Sequence, residues 1–89
     1  MKSSGEEFDT WQEGDACHID VRGLVPPQPM VAILSLLKSG KITNRLIVHI
    51  DREPINLYAE LEDLGWDYET SIIDSDQYLV EIKKQANGK

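Results

Sequence analysis

The chain has 89 residues, which suits one small domain and leaves too little core for two. Hydrophobic residues make up 40% of the sequence and charged residues 28%, as in an ordinary globular domain. Sixteen acidic against nine basic residues give a formal charge of -7, which repels a phosphate backbone and argues against nucleic-acid binding.

The sequence also argues against a membrane location. No stretch approaches the roughly 20 apolar residues that span a bilayer. The N-terminal segment is polar and lacks the hydrophobic core of a secretory signal, so we expect a cytoplasmic protein. The single cysteine, Cys17, has no internal disulfide partner, so the fold must be stable without covalent cross-links.

Both ends of the chain are polar. Residues 1–15 are acidic and show no sustained hydrophobic period, which predicts a flexible acidic N-terminal tail. Phe8 and Trp11 are three residues apart and offer an apolar contact through which this tail can dock on the domain. Residues 85–89 are predicted to be a disordered C-terminal end.

The first strand is predicted directly after the tail. Cys17, Ile19 and Val21 alternate with His18 and Asp20, as a half-buried strand requires. The first set is expected to face the core, and the two polar residues are expected on the opposite side.

The first helix is predicted from Pro27 to Ser39. Gly23 ends the preceding strand, and Pro27 and Pro29 suit an opening helical turn but not a helix interior. Gly40 is expected to end the helix. The apolar stripe of this helix has i, i+3, i+4, i+7 spacing and consists of Met30, Ile33, Leu34 and Leu37.

Residues 44–51 are nearly continuously apolar in their middle, which predicts a central strand. A second helix is predicted from Pro54 to the residue before Gly65, with an apolar stripe on one side. Alternating residues then predict two further strands, residues 66–72 and 78–83, joined by a turn as a hairpin.

The predicted order is therefore β-α-β-α-β-β. Its first β-α-β unit implies a parallel pair of strands with a right-handed crossover. We predict an α+β fold, a two-layer α/β sandwich with a four-stranded mixed sheet, two helices on one face and an open second face.

The segment from Asp20 to Met30 resembles the signature of the TusA/SirA-like sulfur-carrier superfamily. In that signature, a strand ending Asp-x-Arg-Gly-Leu leads into Cys-Pro-x-Pro and a helix. The matching residues here are Asp20, Arg22, Gly23, Leu24, Pro27 and Pro29. The resemblance implies a TusA/SirA-like domain over residues 16–84, with the same two-layer fold.

The chain departs from the signature at the residue that carries its chemistry. Pro26 stands where the family has its persulfide-bearing cysteine, so sulfur transfer from that position is not expected. Residues 51–54, Asp-Arg-Glu-Pro, resemble the loop before the second helix in a cysteine-less branch of unknown function. The sequence therefore indicates a non-catalytic protein, with no cofactor expected.

The strongest candidate contact region is the edge at which both helices begin. Arg22 and Arg52 each follow a strand of the parallel pair, so both approach one sheet edge beside helix N-termini, an arrangement suited to an anion. The candidate binding residues are Arg22, Gly23, Gln28, Arg52 and Glu53. In TusA-like relatives this edge meets sulfur donor and acceptor proteins, so the resemblance implies a protein partner or a small anion here.

The alternative for the two arginines is a surface ion network. In it, Arg22 pairs with Asp20 or Asp51, and Arg52 pairs with Glu53. Both interpretations stay open at the level of sequence.

Two other candidate sites use the remaining reactive side chains. Cys17 is the only thiol that can serve a relocated sulfur carrier, and the alternative is a small buried core residue. His18 and His49 share the open face and can form a weak transition-metal site with Asp20 or Glu81, or they are simply solvated.

The open face also predicts an apolar patch. Ile47 and Leu79 share that face with the histidines, and such patches often mark partner surfaces. The charged rim consists of Asp67, Glu69, Glu81 and Lys83. The alternative is that Phe8 or Trp11 of the tail covers this patch.

Overall fold

The computed structural model describes residues 9–25 and 27–84. The strands are β1 (Asp9–Glu13), β2 (Ala16–Asp20), β3 (Arg45–Ile50), β4 (Trp66–Asp74) and β5 (Gln77–Lys84), and the helices are α1 (Gln28–Lys38) and α2 (Ile55–Leu64). The predictions made for residues 1–8, Pro26 and residues 85–89 lie outside the described residues.

The strands form one mixed sheet in the order β1-β2-β3-β5-β4. β2 and β3 are parallel, and the other neighbouring pairs are antiparallel. The predicted α+β class, the parallel pair, the central position of β3 and the β4–β5 hairpin are all confirmed. The crossover between β2 and β3 contains α1, which places both carboxyl ends at one sheet edge.

The predicted number of strands, four, is wrong because the described residues form five. The additional strand is β1, within the segment predicted to be a tail, and it pairs antiparallel with β2 from Asp9↔Asp20 to Glu13↔Ala16. All five of its residues are exposed, so it contributes backbone pairing rather than core. Gly14, with a φ of 64°, lies in the tight turn between the two strands.

The core lies on one side of the sheet and contains the predicted alternating residues. Ile19 and Val21 of the first predicted strand are completely buried, whereas Cys17 is only half-buried. The buried cluster combines residues of both helices with one alternating set from the strands: Ile19, Val21, Ala32, Ile33, Leu37, Ile42, Leu46, Val48, Ile50, Leu57, Leu61, Trp66, Val80 and Ile82. The two helices therefore share a face, as predicted.

The helices begin and end close to the predicted residues. The amide of Gln28 donates to the carbonyl of Val25 at 2.9 Å, which closes the turn that leads into α1. α2 ends at Gly65, whose φ of 85° lies in the left-handed region that glycine adopts without strain. Leu57 and Leu61 are its buried residues, and each fully buried leucine contributes about 1.5–3 kcal/mol relative to exposure.

Neither α1 nor α2 has the length and hydrophobicity that crossing a membrane requires, and no other helix in residues 9–25 and 27–84 does.

Candidate functional site

The main candidate site is the edge at which β2 and β3 end and both helices begin. We call it the helix edge and define it as residues 22–25, 27–30 and 51–56. It contains all five predicted binding residues, Arg22, Gly23, Gln28, Arg52 and Glu53. The parallel pairing of β2 with β3 brings the two halves of this edge together.

Arg22 follows β2 and is held by Asp20, the last residue of that strand. Its Nε and Nη2 atoms donate to Asp20 Oδ1 and Oδ2 at 2.9 and 2.8 Å, and its backbone amide donates to Oδ1 at 3.1 Å. Hydrogen bonding from the Arg22 side chain lowers the pKa of Asp20 below its usual value. The guanidinium of Arg22 is therefore engaged in an exposed ion pair with Asp20. This is the pairing that the surface ion network, one of the two sequence-based interpretations, predicted for Arg22.

Arg52 is more accessible than Arg22. Its side chain is 66% exposed, and its Nε atom lies 3.9 Å from Asp51 Oδ1, at the limit of an ion pair. The partner predicted from sequence was Glu53, but Glu53 Oε2 instead accepts a hydrogen bond from the hydroxyl of Tyr58 at 3.2 Å. Arg52 is thus the better-placed cation of this edge for contact with a ligand or partner.

A loop-to-loop hydrogen bond connects the two halves of the helix edge. The amide of Gly23 donates to Asp51 Oδ2 at 3.1 Å, across 28 positions of sequence. Gly23 has a φ of 88°, which is strained for any residue with a Cβ atom. This contact fixes the loop that leads into α1 against the loop that leads into α2.

An apolar groove lies between the starts of the two helices. Its volume is about 450 Å³. Its lining residues are Pro27, Pro29, Met30, Ile33, Ile50, Asp51, Arg52, Glu53, Pro54, Ile55, Asn56 and Leu57. The wall is mainly hydrophobic and the charged residues 51–53 lie together on one rim, so the groove suits an apolar group with a polar neighbour.

The helix starts offer few backbone donors to an anion. Pro27 and Pro29 have no amide hydrogen. The amides of Ile55 and Leu57 donate to the carbonyls of Glu53 and Pro54, both at 2.9 Å. Anion binding at helix N-termini depends on unpaired amides, so this edge is better suited to an apolar contact than to a phosphate-like ligand.

A second cluster lies on the opposite, open face of the sheet. His18 Nδ1 is 2.9 Å from His49 Nε2, so the two imidazoles share a hydrogen bond between β2 and β3. His18 Nε2 lies 3.2 Å from Glu13 Oε1. The ring of Trp11 stacks on His18 with centroids 5.1 Å apart and lies 5.2 Å from the ring of His49. We call these four residues the histidine cluster.

The surroundings of His49 favour its neutral form. Desolvation, followed by the neighbouring His18, lowers the pKa of His49 below its usual value. The alternation of residues along the strands correctly predicted that both histidines lie on the open face. It did not predict the hydrogen bond between them, the stacking of Trp11 on His18 or the contact of Glu13 with His18. The signal for β1 was the Gly14-Asp15 pair directly before β2, because glycine followed by aspartate is typical of a two-residue hairpin turn.

The predicted patch around Ile47 and Leu79 is half-buried. Ile47 lies opposite Glu81, and Leu79 lies opposite His49. Arg45, which the sequence did not single out, crosses this face and donates to Glu81 Oε2 at 2.7 Å. A charged pair therefore borders the aliphatic residues, while Trp11 packs on the histidines.

Cys17 lies within β2, away from the helix edge. Its side chain is half-buried and packs against the core, and its sulfur is 3.9 Å from the carbonyl oxygen of His18. Burial raises the pKa of the thiol above its ordinary value. A sulfur carrier needs the opposite shift, because the thiolate is the nucleophile.

Comparison with known proteins identifies a family for this chain. No curated protein and no solved structure matches the chain. A protein-family model described as "Uncharacterized conserved protein (DUF2249)" matches residues 18–84, more than half of the chain. The description of this family does not mention sulfur carriers, so the resemblance to the TusA/SirA-like superfamily stays a prediction. The chain belongs to the DUF2249 family.

Proposed function

We propose that this protein is a small non-catalytic binding or regulatory module with a TusA/SirA-like fold, and that a partner protein binds at its helix edge. The proposal depends most on the apolar groove between the starts of α1 and α2. Ile33, Ile50 and Leu57 of its lining are buried in the core, so Ile55 is the branched aliphatic residue of the groove that remains in contact with water until another molecule covers it.

Exposure within the groove supports this proposal. The side chain of Ile55 is 66% exposed although it lines the groove, and it lies beside the accessible Arg52. An exposed aliphatic residue next to a cation gives a partner both an apolar anchor and a charge that orients it. Because Gly23 and Asp51 join the two loops, the surface is already in place before a partner arrives.

The resemblance to TusA/SirA-like carriers supports the same edge. The matching residues run from Asp20 to Pro29 and lead directly into this surface, and the family match of residues 18–84 includes them. In the carriers, this edge contacts donor and acceptor proteins. Pro26 stands in place of the cysteine, so we propose that this edge still contacts a partner protein but transfers no sulfur.

Site-specific photo-crosslinking tests the proposed surface. A photoreactive residue at position 55 should give a discrete adduct with one protein from the native extract, and Arg52→Ala should reduce its yield. The matched control is position 64, because Leu64 is also exposed, at 41%, but lies at the opposite end of α2. Equal crosslinking at both positions would remove the groove from the proposal.

The small-anion alternative needs a separate measurement. Titration with inorganic phosphate, followed by NMR amide shifts, should leave the helix edge unchanged if the partner is a protein. Saturable shifts near Arg52 that disappear in Arg52→Ala would instead favour the anion.

A sulfur carrier using Cys17 is the alternative from another functional class. The half-buried position and the raised pKa of this thiol argue against it. The labelling rate of Cys17 distinguishes the two functions, because a carrier requires a rapidly reacting thiolate.

A further inference from the structure

The histidine cluster lies on the other face of the sheet and plays no part in the proposed function. We propose that His18 and His49 together bind one divalent transition-metal ion, through His18 Nδ1 and His49 Nε2. These two nitrogen atoms face each other at 2.9 Å. The ion takes the place of the hydrogen atom that the two rings share in its absence.

The separation of the two nitrogens fits a chelating pair. Imidazole nitrogens lie about 2.0–2.1 Å from such metals, so two ligands in cis positions are roughly 2.9–3.4 Å apart, from square-planar to tetrahedral angles. The observed 2.9 Å is at the lower end of that range. In the hydrogen bond the lone pair lies near the line between the two nitrogens, so each ring must turn its lone pair by roughly 35–45° for both to converge on one ion.

Glu13 prepares His18 for this role. Its Oε1 atom is 3.2 Å from Nε2 of His18, which places the hydrogen on Nε2 and leaves a lone pair on Nδ1. A carboxylate on the second ring nitrogen is the usual partner of a metal-bound histidine and increases its basicity. His49 becomes a ligand by moving its hydrogen from Nε2 to Nδ1, a change of tautomer that keeps the ring neutral.

The backbone that carries the two rings is fixed. His18 and His49 belong to neighbouring parallel strands, with His18 opposite Ile47 and His49 opposite Asp20. The amide of Val21 also donates to the carbonyl of His49 at 2.9 Å. Strand-borne ligands lose little freedom on binding, which favours a two-residue site that would be too weak on loops.

The ligand set limits which ions bind. Within residues 9–25 and 27–84 no group of three or more histidine, cysteine or acidic side chains is arranged to hold a metal, so water completes the coordination. Imidazole selects nickel, copper and zinc over magnesium and calcium, and affinity rises from Ni²⁺ to Cu²⁺. The site is therefore open, exchangeable and specific for the nitrogen-preferring metals.

Calorimetric titration of the untagged, metal-free full-length chain with NiCl₂ tests the proposal. One Ni²⁺ should bind per chain, and His18→Gln or His49→Gln should each weaken binding at least tenfold. Cys17→Ser should leave the affinity unchanged, because its thiol takes no part. Absence of saturable binding up to millimolar Ni²⁺, or wild-type affinity in either histidine variant, would overturn the site.

Trp11 provides a second readout. Its ring centroid is 5.1 Å from that of His18, so a paramagnetic Ni²⁺ or Cu²⁺ ion at the site should quench its fluorescence. Trp11→Phe should retain calorimetric binding while losing this quenching, since Trp66 is buried in the core on the other face. Quenching that persists in Trp11→Phe would place the ion elsewhere and contradict the proposal.

The wild-type protein remains testable if both glutamine variants fail to fold. Imidazole NMR signals of His18 and His49 should shift together and saturate at one equivalent of diamagnetic Zn²⁺. Shifts confined to one ring, or absent from both, would contradict a shared ion.

Discussion

Gly23 donates its backbone amide to Asp51 Oδ2 at 3.1 Å, and this bond joins the loops that lead into the two helices. The groove between the helix starts depends on the position of both loops. Gly23 has a φ of 88°, a conformation that glycine adopts without strain. Its hydrogen bond to Asp51 holds this loop in place as part of the groove surface.

Removing this acceptor should weaken the protein modestly. Asp51→Ala leaves Gly23 without its partner and is expected to lower the free energy of unfolding by about 0.5–1.5 kcal/mol, the net contribution of one hydrogen bond. Urea denaturation measures the change. Asp51→Asn is the control, because its amide oxygen can still accept from Gly23, and a loss as large as that of Asp51→Ala would contradict this role.

Trp11 should hold the edge strand β1 against the sheet. Trp11→Ala removes the stacking on His18 and His49 and is expected to cost about 0.5–1.5 kcal/mol, the range of aromatic pairs. Hydrogen exchange of the β1–β2 amides should accelerate while that of β3 and β5 remains slow. Trp11→Phe retains a ring and should exchange close to wild type; equal acceleration in both variants would argue against stacking as the cause.

The ion pair of Asp20 with Arg22 predicts a specific acid dependence. Because the folded-state pKa of Asp20 lies below its ordinary value of 3.8, the pair stabilises the fold above that pH. This contribution is lost as the pH falls through the lowered folded-state pKa. Arg22→Gln should therefore lower the free energy of unfolding at neutral pH. It should also flatten the acid limb, the fall of the urea midpoint with decreasing pH, measured between about pH 2 and 6.

Arg52→Gln is the matched control for the acid dependence. Arg52 is 66% exposed and its contact with Asp51 is long, so its removal should change the acid limb little. An acid limb altered equally by both substitutions would show that general charge, rather than the Asp20–Arg22 pair, produces the dependence.

Cys17 should react slowly in the folded protein. Its pKa is raised by burial, so little thiolate exists near neutral pH and the sulfur is partly shielded. Labelling with a thiol reagent at about pH 7.5 should be at least tenfold slower than in urea. Cys17 is the only cysteine, which makes the rate unambiguous, and equally rapid labelling of the folded state would favour the sulfur-carrier alternative.

The sequence predicted those features that depend on local pattern. Alternation placed Ile19 and Val21 in the core and His18 on the open face, and the proline positions located the helix starts within a residue. Each of these follows from the two-residue period of strands or from the chemistry of a helix terminus.

Features that depend on strand register or on the distance between elements could not be predicted from the sequence. The hydrogen bond between His18 and His49 requires the parallel register in which His49 lies opposite Asp20, and side-chain parity does not determine register. β1 was missed because its residues are all exposed and carry no apolar run. The groove depends on the separation of α1 from α2, which neither helix encodes alone.

The central claim is that the helix edge binds a partner protein through its groove. Once crosslinking at position 55 identifies that partner, its affinity for Ile55→Gln and Leu64→Gln tests the claim most directly. We predict at least a tenfold loss for Ile55→Gln and less than a twofold change for Leu64→Gln, because Ile55 lines the groove and Leu64 does not. Equal affinities for the two variants would contradict the claim.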